Sequence, residues 1–201
     1  MALPGSYTVS LAQRVDGEVK ELAGPAPFEI APLTKPAIAA QDRAVVLAFQ
    51  RETGELLRAV TGSQRAAAGA AQRIGAVKQA LEGWPAAPAA LMGDARALEL
   101  RLLDLREALD GSRTRTSRAE PDLPGIAGRV NQVVRGHWNG THGPTGTHRE
   151  QYRVANEAFS AVYPELQQLV ETDLPALEER LEEAGVPWTT GRALPSWPPG
   201  G

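Results

Sequence analysis

The stretch that decides the fold is residues 38–81, IAAQDRAVVLAFQRETGELLRAVTGSQRAAAGAAQRIGAVKQAL. Apolar or small residues recur along it at spacings that alternate between three and four. The stripe consists of Val46, Phe49, Thr53, Leu56, Val60, Ser63, Ala67, Ala70, Ile74, Val77 and Leu81. This heptad pattern places one narrow seam along one side of an α-helix. Because no proline interrupts the chain between Pro36 and Pro85, the pattern predicts a helix of up to about 65 Å that other helices must cover.

The middle of this stretch, residues 61–72, lacks large apolar residues. Small seam residues let a neighbouring helix approach closely, which predicts a thin core of closely spaced helices. Gly62 and Gly69 each weaken a helix by about 1 kcal/mol relative to alanine. The pattern therefore leaves open whether residues 38–81 form one helix or two helices that meet at Gly62.

Two further helices are predicted before residue 136. A second heptad seam consists of Leu91, Ala95, Leu98, Leu102, Leu105 and Leu109. It predicts a helix over 89–109, and the short connection at 85–88 makes this helix an antiparallel neighbour of the first. Residues 110–124 are polar and basic and are predicted to be a flexible crossover. A shorter helix is predicted over 125–135, with Gly136 as its stop signal.

The last predicted helix follows a loop rich in glycine, threonine and histidine at 136–147. Its seam consists of Tyr152, Ala155, Phe159, Val162, Leu166 and Leu169. Thr145 or Thr147 offers a hydroxyl that caps the first turn. Pro164 and Pro175 lie inside the pattern, and each removes a backbone donor, so a bend or a break is predicted at each.

Residues 1–34 are predicted to be β-structure. Tyr7, Val9 and Leu11 alternate with polar or small residues, as in a half-buried strand. Asp16-Gly17 is a hairpin turn signal, and a return strand and a short closing strand around Phe28 follow it. Two or three strands do not form a stable sheet alone. The pattern therefore favours the last strands of an incomplete β-sandwich, and the alternative is a hairpin that packs on the helices.

Composition excludes several classes of function. The net charge of the 201 residues is −3, which gives no electrostatic case for a nucleic-acid partner. The chain has no cysteine, so disulfides and thiolate chemistry are excluded. No apolar run is long enough to span a membrane. Residues 1–5 lack the charged and apolar regions of a signal peptide, and the compartment is not predicted.

Three histidines, His137, His142 and His148, fall in or beside one loop, and Glu150 follows closely. Clustered histidines with a carboxylate are typical of metal sites, so a hydrolytic metal held there is one interpretation. Their spacing matches no standard helix-borne motif, and the intervening residues predict a mobile, exposed loop. Solvated loop histidines are the favoured interpretation, and no metal or cofactor site is predicted.

Adjacent carboxylates near the C-terminus, Glu178/Glu179 and Glu182/Glu183, are expected on a solvent face of the last helix. A glycosidase needs two carboxyls that face each other across a cleft, and adjacent glutamates do not provide that arrangement. The chain also lacks a nucleophile elbow, a phosphate-binding glycine loop and a dinucleotide fingerprint. No catalytic residue is predicted.

The order of several short motifs resembles one known family, the bacterial BNR-repeat, sortilin-like propeller proteins described as glycosyl hydrolases. The motifs are PGSYTV at 4–9, DG at 16–17, PFEI at 27–30, GRVN at 128–131, TDLPAL at 172–177 and GVPWT at 185–189. The first three are similar to the closing strands of the small β-sandwich that follows the propeller, and the others resemble the helical segment that ends those chains. The resemblance implies a C-terminal region without the catalytic propeller, and it transfers no catalytic residue.

The prediction is a mainly α protein, an antiparallel bundle of three or four long, coiled-coil-like helices preceded by a short β-hairpin segment. Its parts are the truncated sandwich at 1–34, a linker at 35–37, the bundle at 38–185 and an irregular tail rich in proline and tryptophan at 186–201. The favoured function is a non-catalytic C-terminal module, a spacer, cap or self-association element of such a propeller protein. Its predicted partners are a second copy or the parent propeller domain. The second copy is expected to cover apolar surface that the long helix leaves where it outruns its neighbours. The alternatives are a protein-binding bundle that docks through its acidic helix at 150–183, and a metal-dependent hydrolase that uses His137, His142 and His148.

Overall fold

The computed structural model describes residues 2–31, 43–138 and 143–195. In these ranges a two-stranded antiparallel hairpin precedes a set of helices, so the prediction of a mainly α protein with a short β-hairpin is confirmed. The elements are β1 (Gly5–Val15), β2 (Glu18–Ile30), α1 (Arg43–Glu82), α2 (Ala89–Asp110), α3 (Arg113–Ser117), α4 (Ile126–His137), α5 (Gly146–Gln168), a π-helical turn (Leu169–Asp173) and α6 (Leu174–Glu183). The predicted linker at 35–37 lies outside the described residues.

Helix α1 is one continuous helix of 40 residues. Its buried residues are the eleven predicted seam positions together with Gln50. Gly62 does not interrupt it, and a side chain at that exposed position would meet nothing within 4 Å. The helical bonds on either side of Gly62 therefore maintain the helix, and the alternative of two shorter helices is wrong.

Helices α2 and α4 lie end to end and together cover the length of α1. Lys78 of α1 contacts Glu99 of α2 at 2.6 Å between Nζ and Oε2, whereas the earlier Gln64 of α1 bonds the later Asp110 of α2. Helix α2 is therefore antiparallel to α1. Gly125, directly before α4, abuts the backbone at the end of α2. The two short helices thus form one jointed rod along the long one.

The third rod is formed by α5, the π-helical turn and α6, and it runs parallel to α1. Phe49 near the start of α1 meets Tyr152 of α5, with ring centroids 5.5 Å apart. Arg73, in the second half of α1, donates to Glu178 of α6 over 2.9 Å. Three rods therefore surround one apolar core to which α1, α2, α4, α5 and α6 all contribute.

The glycine signal in α4 and the proline signal in α5 do not end these helices. Helix α4 continues through Gly136 to His137, so the prediction that Gly136 ends the helix is wrong. A Cβ at Gly136 would lie 2.5 Å from Nε2 of His148, so the glycine makes room for that ring. Pro164 lies inside α5 and does not end it.

Pro175 lies in the first turn of α6, where its missing N–H is not needed. The π-helical turn directly before it lengthens the bonding interval, and the N–H of Leu174 bonds the carbonyl oxygen of Leu169. The third rod therefore passes Pro175 as a helix with one wide turn instead of a break.

The crossover at 110–124 contains more structure than the predicted flexible segment. It includes the short helix α3, and the carboxylate of Asp122 accepts the backbone N–H groups of Ser112 and Leu123, each over 2.9 Å. These bonds hold the segment where it must bring Gly125 back against the end of α2.

The hairpin turns at Asp16-Gly17, as predicted, and both residues have positive φ. Strand β2 continues to Ile30, so the predicted separate closing strand around Phe28 belongs to β2. The register shifts between Val9 and Ala12. Gly24 lies at this irregularity, and a Cβ there would come within 2.7 Å of the backbone of Ser10.

Candidate functional site

The histidines lie at the end of the bundle where α4, α5 and the start of α1 meet. His137 is fully buried, and its Nδ1 donates to the carbonyl oxygen of Val133 over 2.8 Å. Its ring packs against Phe49 at 4.9 Å and against His148 at 5.7 Å between centroids. The prediction of a solvated loop histidine is therefore wrong for His137, because α4 continues two residues past Arg135 and carries this side chain into the interior.

His148 belongs to the cap of α5. Its backbone N–H donates to Oγ1 of Thr145 over 3.2 Å, and its Nδ1 accepts the N–H of Thr145 over 3.3 Å. The prediction that Thr145 or Thr147 caps this helix is confirmed for Thr145. This reciprocal pair is a capping box with histidine in the place that glutamate usually takes. His142 lies outside the described residues.

The described residues give a metal at this end no further support. Glu150 is paired with Arg153, whose hydrogen bond lowers the pKa of that carboxyl. Nε2 of His137 is buried without a hydrogen-bond partner. Among residues 2–31, 43–138 and 143–195, no group of three or more histidine or acidic side chains is arranged to hold a metal ion.

The C-terminal carboxylates are held by arginines. Glu178 is buried, in contrast to the predicted solvent face, and receives two hydrogen bonds from the guanidinium of Arg73. Glu182 pairs with Arg192, whose buried guanidinium also donates to the carbonyl oxygen of Pro187 over 3.0 Å. These bonds attach the segment after α6 to the bundle. They leave these two carboxylates in structural ion pairs.

Sequence reasoning missed Arg192, because nothing local marks an arginine in a proline-rich tail as buried. The same tail carries Trp188, whose indole N–H donates to the carbonyl oxygen of Ala193 over 3.1 Å. Trp197 of the same tail lies outside the described residues.

The heptad seam of α1 is buried by other helices of the same chain. All eleven seam positions are buried, because the jointed rod of α2 and α4 matches α1 in length. The expectation that the long helix outruns its neighbours and leaves apolar surface for another subunit is therefore unsupported along this seam.

The hairpin, in contrast, exposes its apolar side chains. Tyr7, Val9 and Leu11 alternate along β1 and so share one face, and their neighbours across the ladder include Phe28 opposite Tyr7 and Ala26 opposite Val9. We call these five residues the apolar stripe. Val9 is 55% exposed and Leu11 59%. Tyr7 and Phe28 contact each other with ring centroids 5.9 Å apart.

The bundle core contains no hairpin residue. Apart from the half-buried Tyr7 and Ile30, every residue of β1 and β2 is exposed. A two-stranded hairpin is at best marginally stable in water without a covering layer or further strands. The apolar stripe and the unpaired strand edges are therefore the candidate interaction site. The alternation in β1 was the sequence signal for it.

Comparisons with protein families, with curated proteins and with solved structures found no match to this chain. In the described parts, no helix combines the length and the apolar character that crossing a bilayer requires.

Proposed function

We propose that this chain is a non-catalytic interaction module. The hairpin docks onto β-structure, and the helical bundle is the rigid body, a spacer or cap, that carries it. One observation carries the proposal. The bundle buries its seams within itself, whereas the hairpin exposes the apolar stripe on a sheet of only two strands. Exposed apolar surface of this kind is typical of a site that another protein covers.

The resemblance to BNR-repeat, sortilin-like propeller proteins suggests where such a module would act. There it would be the C-terminal part of a glycosyl-hydrolase-like chain, and its hairpin would supply the last strands of the sandwich beside the propeller. The exposed stripe supports this placement, since a sandwich strand has one face on a core. Any hydrolytic activity would then belong to the propeller.

The alternatives have less support from the described residues. The acidic helix at 150–183 is a weaker docking surface than its sequence indicates, because Arg153 pairs with Glu150 and Glu157 and Arg101 pairs with Asp173. A hydrolytic metal would need His137 at an accessible position, and that ring is buried beneath Phe49.

Cysteine accessibility in the dilute chain tests the proposal directly. Because the chain has no cysteine, a single Val9→Cys variant reports only on the stripe, and Val130→Cys in the buried face of α4 is the matched control. We expect Val9→Cys to react with a thiol reagent at the rate of an unfolded peptide, and Val130→Cys to be protected. A protected Val9→Cys in the monomer would mean that the hairpin is already covered, and the proposal would fail.

A further inference from the structure

The two edges of the hairpin differ in the residues that suppress strand pairing. Strand β2 carries Pro25 and Pro27, and it also carries the charged residues Glu18, Lys20, Glu21 and Glu29. Strand β1 has neither a proline nor a charged side chain from Gly5 to Gln13. Charges and prolines are the devices by which natural proteins protect an edge strand from further pairing.

The prolines of β2 also reduce the number of hydrogen-bond donors on its edge. A proline has no N–H, and within a sheet it is tolerated where its nitrogen faces away from the neighbouring strand. Pro27 is paired with Thr8 in the regular part of the ladder, so its nitrogen is expected to face the outer edge of β2, and Pro25 lies at the register irregularity next to it. An incoming strand would find a missing donor at Pro27 and an irregular edge at Pro25 on β2, whereas on β1, from Gly5 to Gln13, every second residue turns its N–H to the free edge.

We propose that β1 is the edge at which a second copy of this chain pairs, giving a four-stranded antiparallel sheet with β2 at both outer edges. This inference rests on the proposed function, because it names the partner of the same hairpin. A two-fold axis perpendicular to the sheet pairs residues of the same parity. Tyr7, Val9 and Leu11 of both copies therefore lie on one face and extend the apolar stripe across the dimer.

Charge is compatible with this self-pairing. With the axis at Val9, the uncharged residues 5–13 face one another and Arg14 lies opposite Pro4. With the axis at Ser10, residues 7–13 face one another and Arg14 lies opposite Ser6, so in neither case does Arg14 face its own copy. Self-pairing of β2 would instead bring its charged positions and both prolines into the ladder. The pairing through β1 also raises the sheet from two strands to four, beyond the size at which a hairpin is marginal.

Disulfide trapping locates the pairing edge. Residues directly opposite across an antiparallel ladder have Cα atoms about 4.5–5.5 Å apart, which is within disulfide range. Only the residue on the axis lies directly opposite its own copy, so among single cysteines at Thr8, Val9 and Ser10 we expect one, at Val9 or at Ser10, to form disulfide-linked dimers in high yield. Ala26→Cys is the matched control, since Ala26 is the ladder neighbour of Val9 on the same face, and it should remain monomeric. Trapping at Ala26 as efficient as at the residue on the axis would indicate packing face to face and would overturn the assignment of the edge.

The solution mass provides the second test. The chain should shift from 21.4 kDa to twice that value as its concentration rises. Val9→Lys should abolish the shift, because it places charges on the pairing edge, whereas Ala26→Lys should keep it. A monomer at every concentration would overturn the self-pairing, and a reactive Val9→Cys would then leave the proposed function standing with a different β partner. A dimer that persists in both lysine variants would place the contact elsewhere and would also contradict the inference.

Discussion

Three glycines of the bundle have three different roles. Gly62 occupies an exposed position in α1 with open space around it, Gly136 makes room for the ring of His148, and Gly125 lies against the backbone of residues 109–111. Only Gly62 matches the local rule that a glycine weakens a helix. The other two follow from tertiary contacts, which is why the sequence predicted a stop at Gly136 and gave no sign of the close approach at Gly125.

Gly125→Ala and Gly62→Ala are the same substitution with opposite expected results. Gly125 has a φ of −62°, so its backbone tolerates alanine, but the new Cβ would come within 2.7 Å of the carbonyl carbon of Asp110. We expect Gly125→Ala to lower the free energy of unfolding by about 1–3 kcal/mol, as for overpacking of a core. Gly62→Ala should raise it by up to about 1 kcal/mol. Urea unfolding of both variants measures this, and equal effects would contradict the close approach at Gly125.

Asp173 links the third rod to α2 in a pH-dependent way. Its carboxylate accepts hydrogen bonds from Gln168 over 2.9 Å and from Arg101 over 2.7 Å, and these lower its pKa below the usual 3.8. A group with a lowered pKa in the folded state stabilises the protein above its unfolded pKa, and that stabilisation is lost as the pH falls through the folded pKa.

Asp173→Asn should therefore destabilise the protein at neutral pH, by less than about 1 kcal/mol because solvent screens the pair, whose Arg101 side chain is 49% exposed. The difference from the unsubstituted chain should disappear at pH values below the folded pKa. Thermal unfolding across this acid range measures it, with the exposed Asp104→Asn as control. A difference that stays constant with pH would argue against the ion pair as its cause.

At the scale of the elements, the heptad periodicity predicted which residues of the helices are buried, but it did not predict where the helices end. Apart from Gln50, the buried positions of α1 and α2 are the predicted stripes, because burial of one side of a helix requires apolar or small residues at a regular repeat. The end of α4 lies against the ring of His148 from α5. The third rod stays helical at Pro175 because a π-helical turn precedes that residue. Neither leaves a repeat in the sequence.

The small residues of the α1 seam give a test at this scale. Ala67 is 1% exposed, so Ala67→Leu should force the rods apart and lower the free energy of unfolding by about 1–3 kcal/mol. Ala68→Leu, one residue along on the exposed side, should change it by less than about 0.5 kcal/mol. Chemical denaturation followed by circular dichroism compares the two. A tolerated Ala67→Leu would mean that the seam has free volume.

At the scale of the whole molecule, the bundle has a closed core and the hairpin does not. The sequence predicted both parts, because heptads and alternation are local signals. It placed the surface for self-association on the long helix, since the end-to-end joint of α2 and α4 depends on the contact at Gly125. In the proposed function the apolar stripe is covered by another chain, and no pattern within a single chain predicts how that contact is made.

Because the bundle core contains no hairpin residue, a substitution in the hairpin should leave the stability of the bundle unchanged. Val9→Lys should not change the midpoint of thermal unfolding measured from the helical circular dichroism of the dilute chain. Ile74→Ala, which removes a fully buried side chain of the core, should lower the free energy of unfolding by about 2–5 kcal/mol. A lower midpoint for Val9→Lys would show that the hairpin shares the stability of the bundle.

The unbroken α1 also fixes a distance. Its 40 residues correspond to about 60 Å, and the segment that holds the hairpin enters at its first turn. The chain leaves at the opposite end, where the tail folds back so that Gly191 touches Arg73. A stiff axis of this length acts as a molecular ruler between the start of α1 and the tail, because it keeps these two parts of the bundle at a separation that thermal bending hardly changes.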